Sequence, residues 1–572
     1  MNRNTEAHFS KLPNVKIQRS LFDRSTQNKL SFNAGLLIPI FADEYLPGDT
    51  FTLDTSIVIR TSSAMIKPVM DNMYADIYYF SVPNRLVWEH WEEFMGENKT
   101  SDWVQTTEYT IPQVEAPNGG WNIGTIADYF SIPTGISNIS ISSLFFRAYA
   151  LIWNQYFRDE NLMNATDVPR TDATEYGVNS GTLETDACKG GLPLPVCKFH
   201  DYFTSALPQA QKSPYEITLP LVRGNAQTPV LGNGLTVGIQ NGLGLLSGLY
   251  IDTDGTLKTA TYSTASTDLP GSDIGTEVDT TTTQIPNTAE TVGIWVDPLG
   301  GSETYSGLWT DLGAVSAATI NQLRQAFALQ HLFEVDARGG TRYTESIKAH
   351  FNVSSPDARL QRPEYLGGKR IPINVSQVVQ MSGTESSSGT QQTPQANVAA
   401  YSLTGDKASS FTKSFTEHGM IIGLICVRTE HTYQQGINRM FSRTRRFDFY
   451  TPELANLGEQ EILAKEIYAT GQTTDENGWG FQERWAEYRY KPSIVCGQMR
   501  SNATGTLDVY HFADNYSQYP YLGQSWIQEV KTNIDRTLAV PSTTTNQFIA
   551  DIYFNYRCAR PMPVYSVPKL IG

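Results

Sequence analysis

Two segments at opposite ends of the chain alternate apolar and polar residues with a period of two. In the first, Phe51, Leu53, Ile57 and Ile59 share one face, while Thr52, Asp54, Ser56 and Arg60 lie on the other. In the second, Phe548, Ala550, Ile552, Phe554, Tyr556 and Cys558 oppose Asp551, Tyr553, Asn555 and Arg557. A half-buried antiparallel strand requires this pattern, because successive side chains point to opposite faces. Met73–Val82 and His418–Arg428 are denser apolar runs, as expected of strands covered on both sides. Strand signals at both ends, with long irregular material between, predict a β-sandwich in which C-terminal strands close N-terminal ones. The commonest such plan is the jelly roll.

Three helices are predicted to interrupt the strands. Val87, Trp91 and Phe94 follow Asn84, a suitable N-cap, and Gly96 ends that run. Phe145, Tyr149, Ile152 and Tyr156 form a second stripe, with Arg147, Asn154 and Arg158 expected to face away. Ile320, Leu323 and Phe327 mark a third helix, from near Ser316 to just before Gly339-Gly340. All three stripes read as core faces.

Between residues 222 and 311 the character changes to GNGLTVGIQNGLGLLSG and a long Thr-rich run. Few long apolar side chains make this a poor independent core, and composition alone also fits a disordered linker. The β-branched Thr content, with Ile294, Trp295 and Leu308 resuming at its end, suits a surface excursion tied at both ends. Residues 382–397, SGTESSSGTQQTPQAN, read as a flexible loop.

Charge is unevenly spread. The net charge of −15 argues against a nucleic-acid binder over the whole molecule. Residues 1–30 nevertheless carry Arg3, Lys11, Lys16, Arg19, Arg24 and Lys29 against Glu6 and Asp23. Residues 223–311 carry Arg223 and Lys258 against ten acids. Charged residues make up only 18% of the chain, so either much surface is hidden against neighbours or polar turns dominate. The five cysteines include no CxxC pair, which indicates neither a disulfide framework nor a zinc ribbon. Cys426 and Cys558 sit in strand-like runs and are expected in the core. The N-terminus lacks an apolar signal-peptide core, and the longest apolar stretch, Gly419 to Val427, is too short to span a bilayer. No membrane insertion is expected, and a reducing cytoplasm is the expected place of synthesis.

The chain carries no HExxH, GxSxG or Walker motif. His200 beside Asp201 could be a polarised base, though a structural corner histidine is the preferred reading. Glu483 and Glu487 alternate with Arg484 and Arg489, which favours a salt-bridged face over paired catalytic acids. No catalytic residue, metal ligand or cofactor is assigned. The run INRMFSRTRRFDFY places Arg439, Arg443, Arg445 and Arg446 among Met440, Phe441, Phe447 and Phe449. Such a run can hold phosphates and stack on unpaired bases, or pair with carboxylates across a subunit boundary. Both readings stay open, as do two for the basic N-terminal arm: lying on nucleic acid, or threading under a neighbour.

Several long strings resemble the major capsid protein of gokushoviruses, small icosahedral single-stranded DNA phages of the Microviridae. They are FNAGLLIPIFADEYLPGDTF (32–51), RAYALIWNQYFRDENLM (147–163), KFHDYFTSALPQAQK (198–212), DARGGTRYTESIKAHFNVSSPDARLQRPEYLGG (336–368) and the tail CARPMPVYSVPKLIG. The resemblance implies a mostly β chain, a single eight-stranded antiparallel jelly roll of the viral capsid type with large loop insertions and a few helices. It implies about sixty copies in a closed T=1 shell around circular single-stranded DNA. Implied partners are the packaged DNA, a small basic DNA-binding protein, a minor pilot protein, an internal scaffolding protein and a host surface receptor. The expected division is a basic arm (1–31), a first core part (32–221), a threefold surface protrusion (222–311) used in host attachment, and a second core part (312–572). Candidate single-stranded DNA contacts are Arg3, Lys11, Lys16, Arg19, Arg24, Arg439, Arg443, Arg445 and Arg446. The implied location is the virion, assembled in the bacterial host cytoplasm. The competing reading is a carbohydrate-binding or carbohydrate-active β-sandwich, which needs an aromatic platform and paired acids.

Overall fold

The two alternating segments become neighbours. In the computed structural model, strands are numbered β1 (Ser20–Asp23), β2 (Thr26–Phe32), β3 (Ile38–Tyr45), β4 (Thr50–Thr61) and β5 (Met73–Pro83), then β6 (Glu364–Pro372), β7 (Thr404–Lys407), β8 (Phe411–Ser414), β9 (Gly419–Thr429) and β10 (Phe548–Arg560). The structure describes residues 18–99, 101, 107–213 and 320–565, less 386–390, 394 and 408–409, with the backbone of short strands between 230 and 310. β10 pairs antiparallel with β4 along its length, placing Ile57 opposite Ile552, Leu53 opposite Tyr556 and Phe51 opposite Cys558. The apolar residues of both strands are fully buried on one face.

Two sheets form the sandwich. The first runs β1/β2, β10, β4, β7/β8, with each edge position shared by two short strands. The second runs β6, β5, β9, β3. All pairings within these sheets are antiparallel, and chain neighbours such as β3 and β4 lie in opposite sheets. This is the predicted jelly-roll plan. Residues 20–31, grouped with the basic arm on charge alone, include strands paired to β10.

The second sheet is buried on both faces. Ile421, Ile425 and Val427 of β9 face the sandwich core, while Met420, Ile422, Leu424 and Cys426 belong to a second core on the other side. That explains the unbroken apolar run of β9, which a one-sided strand would not tolerate. Gly423 is required there: a Cβ would lie 2.7 Å from the Tyr79 ring and 2.9 Å from Phe41 Cβ. Cys426 and Cys558 are both fully buried, as expected.

The helix α1 (Leu144–Tyr156) covers the second sheet and corrects the sequence reading. Arg147, expected to face solvent, is completely buried and donates to the carbonyls of Val87 (3.2 Å) and Thr171 (3.0 Å). Asn154 and Arg158 are also held, donating to Thr166 O and Met163 O. The loops of residues 163–196 wrap the helix's far side, and they supply the carbonyls that make burial of polar groups tolerable. The helix predicted from Asn84 is broken into a 3-10 turn at Asn84–Leu86 and a short helix at Trp91–Phe94. The chain bends between them so that Trp88 is buried and its indole donates to Asp172 at 2.6 Å.

By compactness the chain divides into two units: Met1–Ser213 with Leu332–Gly572, and Pro214–His331. The second unit contains Leu257–Thr261, Leu246–Ile251, Val237–Gln240 and Gly293–Val296 as a four-stranded sheet in that order. Val230–Gly232 also pairs with Leu308–Thr310. The Thr-rich run after Thr261, and Ser316, lie outside the described residues. The helix α2 (Ile320–Gly339) ends at the predicted Gly pair. Its Ile320 and Phe327 are exposed, not core, and their face continues into the polar Gln330, His331 and Glu334. Within 382–397, Thr384–Glu385 pairs with Gln391–Thr393 as a short hairpin.

Candidate functional site

Among the described residues, the types that could carry catalysis are dispersed or already occupied. His200 is exposed, whereas Asp201 caps the following turn, accepting from the amides of Phe203 (2.9 Å) and Thr204 (2.8 Å). It also accepts from Tyr433 Oη at 2.6 Å, so it serves the corner and not a base. Glu483 pairs with Arg489, and Glu487 with Arg443 at 3.2 Å, giving the salt-bridged face expected from the sequence. Among the described residues no group of three or more His, Cys, Asp and Glu could hold a metal ion. No helix among them is long and apolar enough to cross a membrane.

The most concentrated buried chemistry was invisible in the sequence. At the end of β9, His431 has one ring nitrogen 3.1 Å from Asp514 Oδ1 and the other 2.9 Å from Glu529 Oε2. Asp514 also accepts from Lys198 Nζ (2.8 Å), Asn533 Nδ2 (2.6 Å) and Tyr516 Oη (2.8 Å). Thr429 Oγ1 donates to Glu529 at 2.8 Å, and Lys198 lies 4.6 Å from the centre of the Trp526 ring. Every charged side chain here is at most 2% exposed. An imidazole with a carboxylate at each nitrogen must donate twice, so it is an imidazolium. Burial opposes that charge, but attraction to Asp514 and Glu529 outweighs it and lifts the pKa to about 9. Burial likewise works against the Asp514 carboxylate, yet Lys198 and His431 hold it well below the usual range. Two positive and two negative groups balance. The cluster ties four chain segments distant in sequence, and every member is bonded to another. It reads as a structural lock with no open position for a substrate.

The arginine-aromatic segment is at the surface. Of its four candidates, two have their charge matched within the chain. Arg439 meets Glu466 at 2.9 Å, and Arg443 meets Glu487 while lying 4.3 Å from the centre of the Tyr488 ring. Arg445 and Arg446 are exposed. The backbone amide of Arg445 donates to Asp448 at 2.7 Å, which closes a 3-10 turn over Arg446–Asp448. Of the arm candidates, Arg3, Lys11 and Lys16 lie outside the described residues. Arg24 pairs with Asp43, and Arg19 donates to Thr50 Oγ1 at 2.6 Å. The structure therefore brings Arg439, Arg443 and Arg445 together on one cleft and leaves Arg19 and Arg24 at the sheet edge.

Comparison with known proteins covers nearly the whole chain. A model of the capsid protein (F protein) family matches residues 10–570. The capsid protein VP1 of Chlamydia phage 1 is 42% identical over 98% of this chain and 97% of its own length. VP1 of Bdellovibrio phage phiMH2K is 40% identical over 100% and 99%, and VP1 of Spiroplasma virus 4 is 39% identical over 99% and 98%.

Proposed function

Because this chain belongs to the capsid protein (F protein) family, and is a structural capsid subunit of the gokushovirus kind, we propose that about sixty copies close a T=1 icosahedral shell around circular single-stranded DNA. The observation that carries the reading is the match over essentially the full length to three capsid proteins, with no segment left over for a different activity. Membership implies a structural, non-enzymatic role, a homo-oligomeric assembly and a place in the virion. It leaves nothing in favour of a carbohydrate-active sandwich.

The finer assignments follow from charge. The arm, with Arg3, Lys11 and Lys16 beyond the first described strand, is the element that meets packaged phosphate. Arg19 and Arg24 anchor its base to the sheet edge. The acidic segment 222–311 is the outward, host-attaching protrusion, where repulsion from DNA costs nothing. Assembly takes place in the host cytoplasm with scaffolding, pilot and small basic DNA-binding proteins as partners.

Sedimentation tests the core claim. Sixty copies of the 63.6 kDa chain give a particle with about 3.8 MDa of protein. A stable monomer under conditions that preserve virions would overturn the proposal. For the arm, replacing Arg3, Lys11 and Lys16 by Gln should lower the salt dependence of DNA retention. The slope of log K against log salt should fall by about 0.7 per lost phosphate contact. An unchanged slope removes the arm from the DNA.

A further inference from the structure

We propose that the surface formed by residues 437–450 together with 485–494 is a contact between copies of this chain. The proposal rests on the shell reading above and adds the place where one subunit meets the next.

Three observations lead there. First, this surface leaves large apolar groups in solvent: Phe441 is 75% and Phe447 69% exposed, beside Met440, Phe449, Ile437 and Ile494. Ile437, Tyr490 and Ile494 line one depression, and Arg443 joins it through Glu487 to Phe449 and Tyr488. Patches of this kind on a folded subunit mark binding surfaces. Second, the adjoining cleft, of about 340 Å³, is lined by Arg443, Arg445, Phe447, Arg484 and Trp485. Third, residues 437–450 contain four arginines and no lysine, among four aromatic residues. Arginine with aromatics and without lysine is the composition of the energetic centre of protein interfaces.

The occupant follows from chemistry. Single-stranded DNA would stack on aromatic faces and neutralise free cations. Phe441, Phe447 and Phe449 could stack on bases, but Ile437, Met440 and Ile494 in the same surface could not, and Arg439 and Arg443 already have carboxylates. Aliphatic groups gain by burial against protein. The exposed Arg445 and Arg446 suit a partner that presents acceptors, and the surface of a second copy offers more acidic than basic side chains to meet them.

The test uses assembled shells. A photo-crosslinking amino acid placed at position 447 should give, on irradiation, a band at about 127 kDa, twice the 63.6 kDa chain, that nuclease leaves intact. In parallel, the double variant Phe441→Ser/Phe447→Ser should give roughly tenfold fewer shells or less, while the unassembled subunit melts as wild type. An adduct removed by nuclease, with shells that form but lose DNA, would assign the surface to the genome and overturn the proposal. Normal shell yield with no adduct overturns it too. A wild-type chain that never forms particles sinks the shell reading itself, a result separable from either variant outcome.

Discussion

Raising the pH through the titration of His431 should unlock the buried cluster at the end of β9. The imidazolium is held between Asp514 and Glu529, and its pKa stands at about 9 against 6.5 for an ordinary histidine. Because the folded value is the higher one, the stabilisation is complete below about pH 6.5 and is lost as pH rises through 9. The displacement corresponds to about 3 kcal/mol. Other groups facing the site do not confuse this window. Tyr433 and Tyr516 are pushed well above the usual phenol range, chiefly by burial, and Asp514 stays ionised throughout. The assay is urea unfolding of the unassembled subunit at pH 6, 8 and 10, followed by tryptophan fluorescence, since Trp526 stacks against Lys198 of the same cluster. Wild type should lose about 3 kcal/mol across the series. His431→Gln should already be destabilised at pH 6, by about 3–5 kcal/mol, because Asp514 and Glu529 lose their shared cation. Its own stability should then change far less with pH. If wild type and variant differ by the same amount at pH 6 and pH 10, His431 is not the charged link and the argument fails.

Two further outcomes follow from burial. Arg147→Met keeps the length of the side chain but strands the carbonyls of Val87 and Thr171, so the subunit should lose about 2–4 kcal/mol in denaturant unfolding; a neutral result would mean that water replaces the guanidinium. In the native protein a thiol reagent should modify Cys496 rapidly and the other four cysteines only after denaturation. Cys496 is exposed, while burial pushes Cys188, Cys197 and Cys426 up to about 12; more than one fast thiol in the native subunit would contradict the packing.

What could be read in the sequence was whatever repeats locally. The alternation of 51–59 and 548–558 specified two strands and their buried faces, and the density of 419–427 specified a strand covered twice. The salt-bridged charges of residues 483–489 were also legible, since acids and arginines alternate along that short run, although Glu483 ends a strand and Arg489 ends a short helix. Arg147 was not. On a helix considered alone, an arginine belongs to the wet side, and only the loop carrying Thr171 makes its burial tolerable. The His431 cluster left no signal at all, because Lys198, His431, Asp514 and Glu529 are joined by folding and by no common spacing. Nor could the sequence show that Arg443 pairs with Glu487, forty-four residues on.

The two sheets differ in a way that bears on how such a subunit meets DNA. One is enclosed between two cores, so the sandwich's remaining open sheet face is the outer side of β4 and β10. That face carries Lys29, Arg60 and Arg557, but also Asp54 and Asp551, and Lys29 lies 3.8 Å from Asp551. With positive and negative groups nearly balanced, it cannot supply the counterion release that drives binding to phosphate. The arginine segment 437–450 has half of its cations committed internally. The proposal that the arm holds the genome rests on the chain before Ser20, where Arg3, Lys11, Lys16 and Arg19 face a single acid, Glu6. Acidic residues outnumber basic ones in the rest of the chain, outside residues 223–311 as well as within them, so a subunit of this composition that is to retain a polyanion needs its positive charge gathered in one segment.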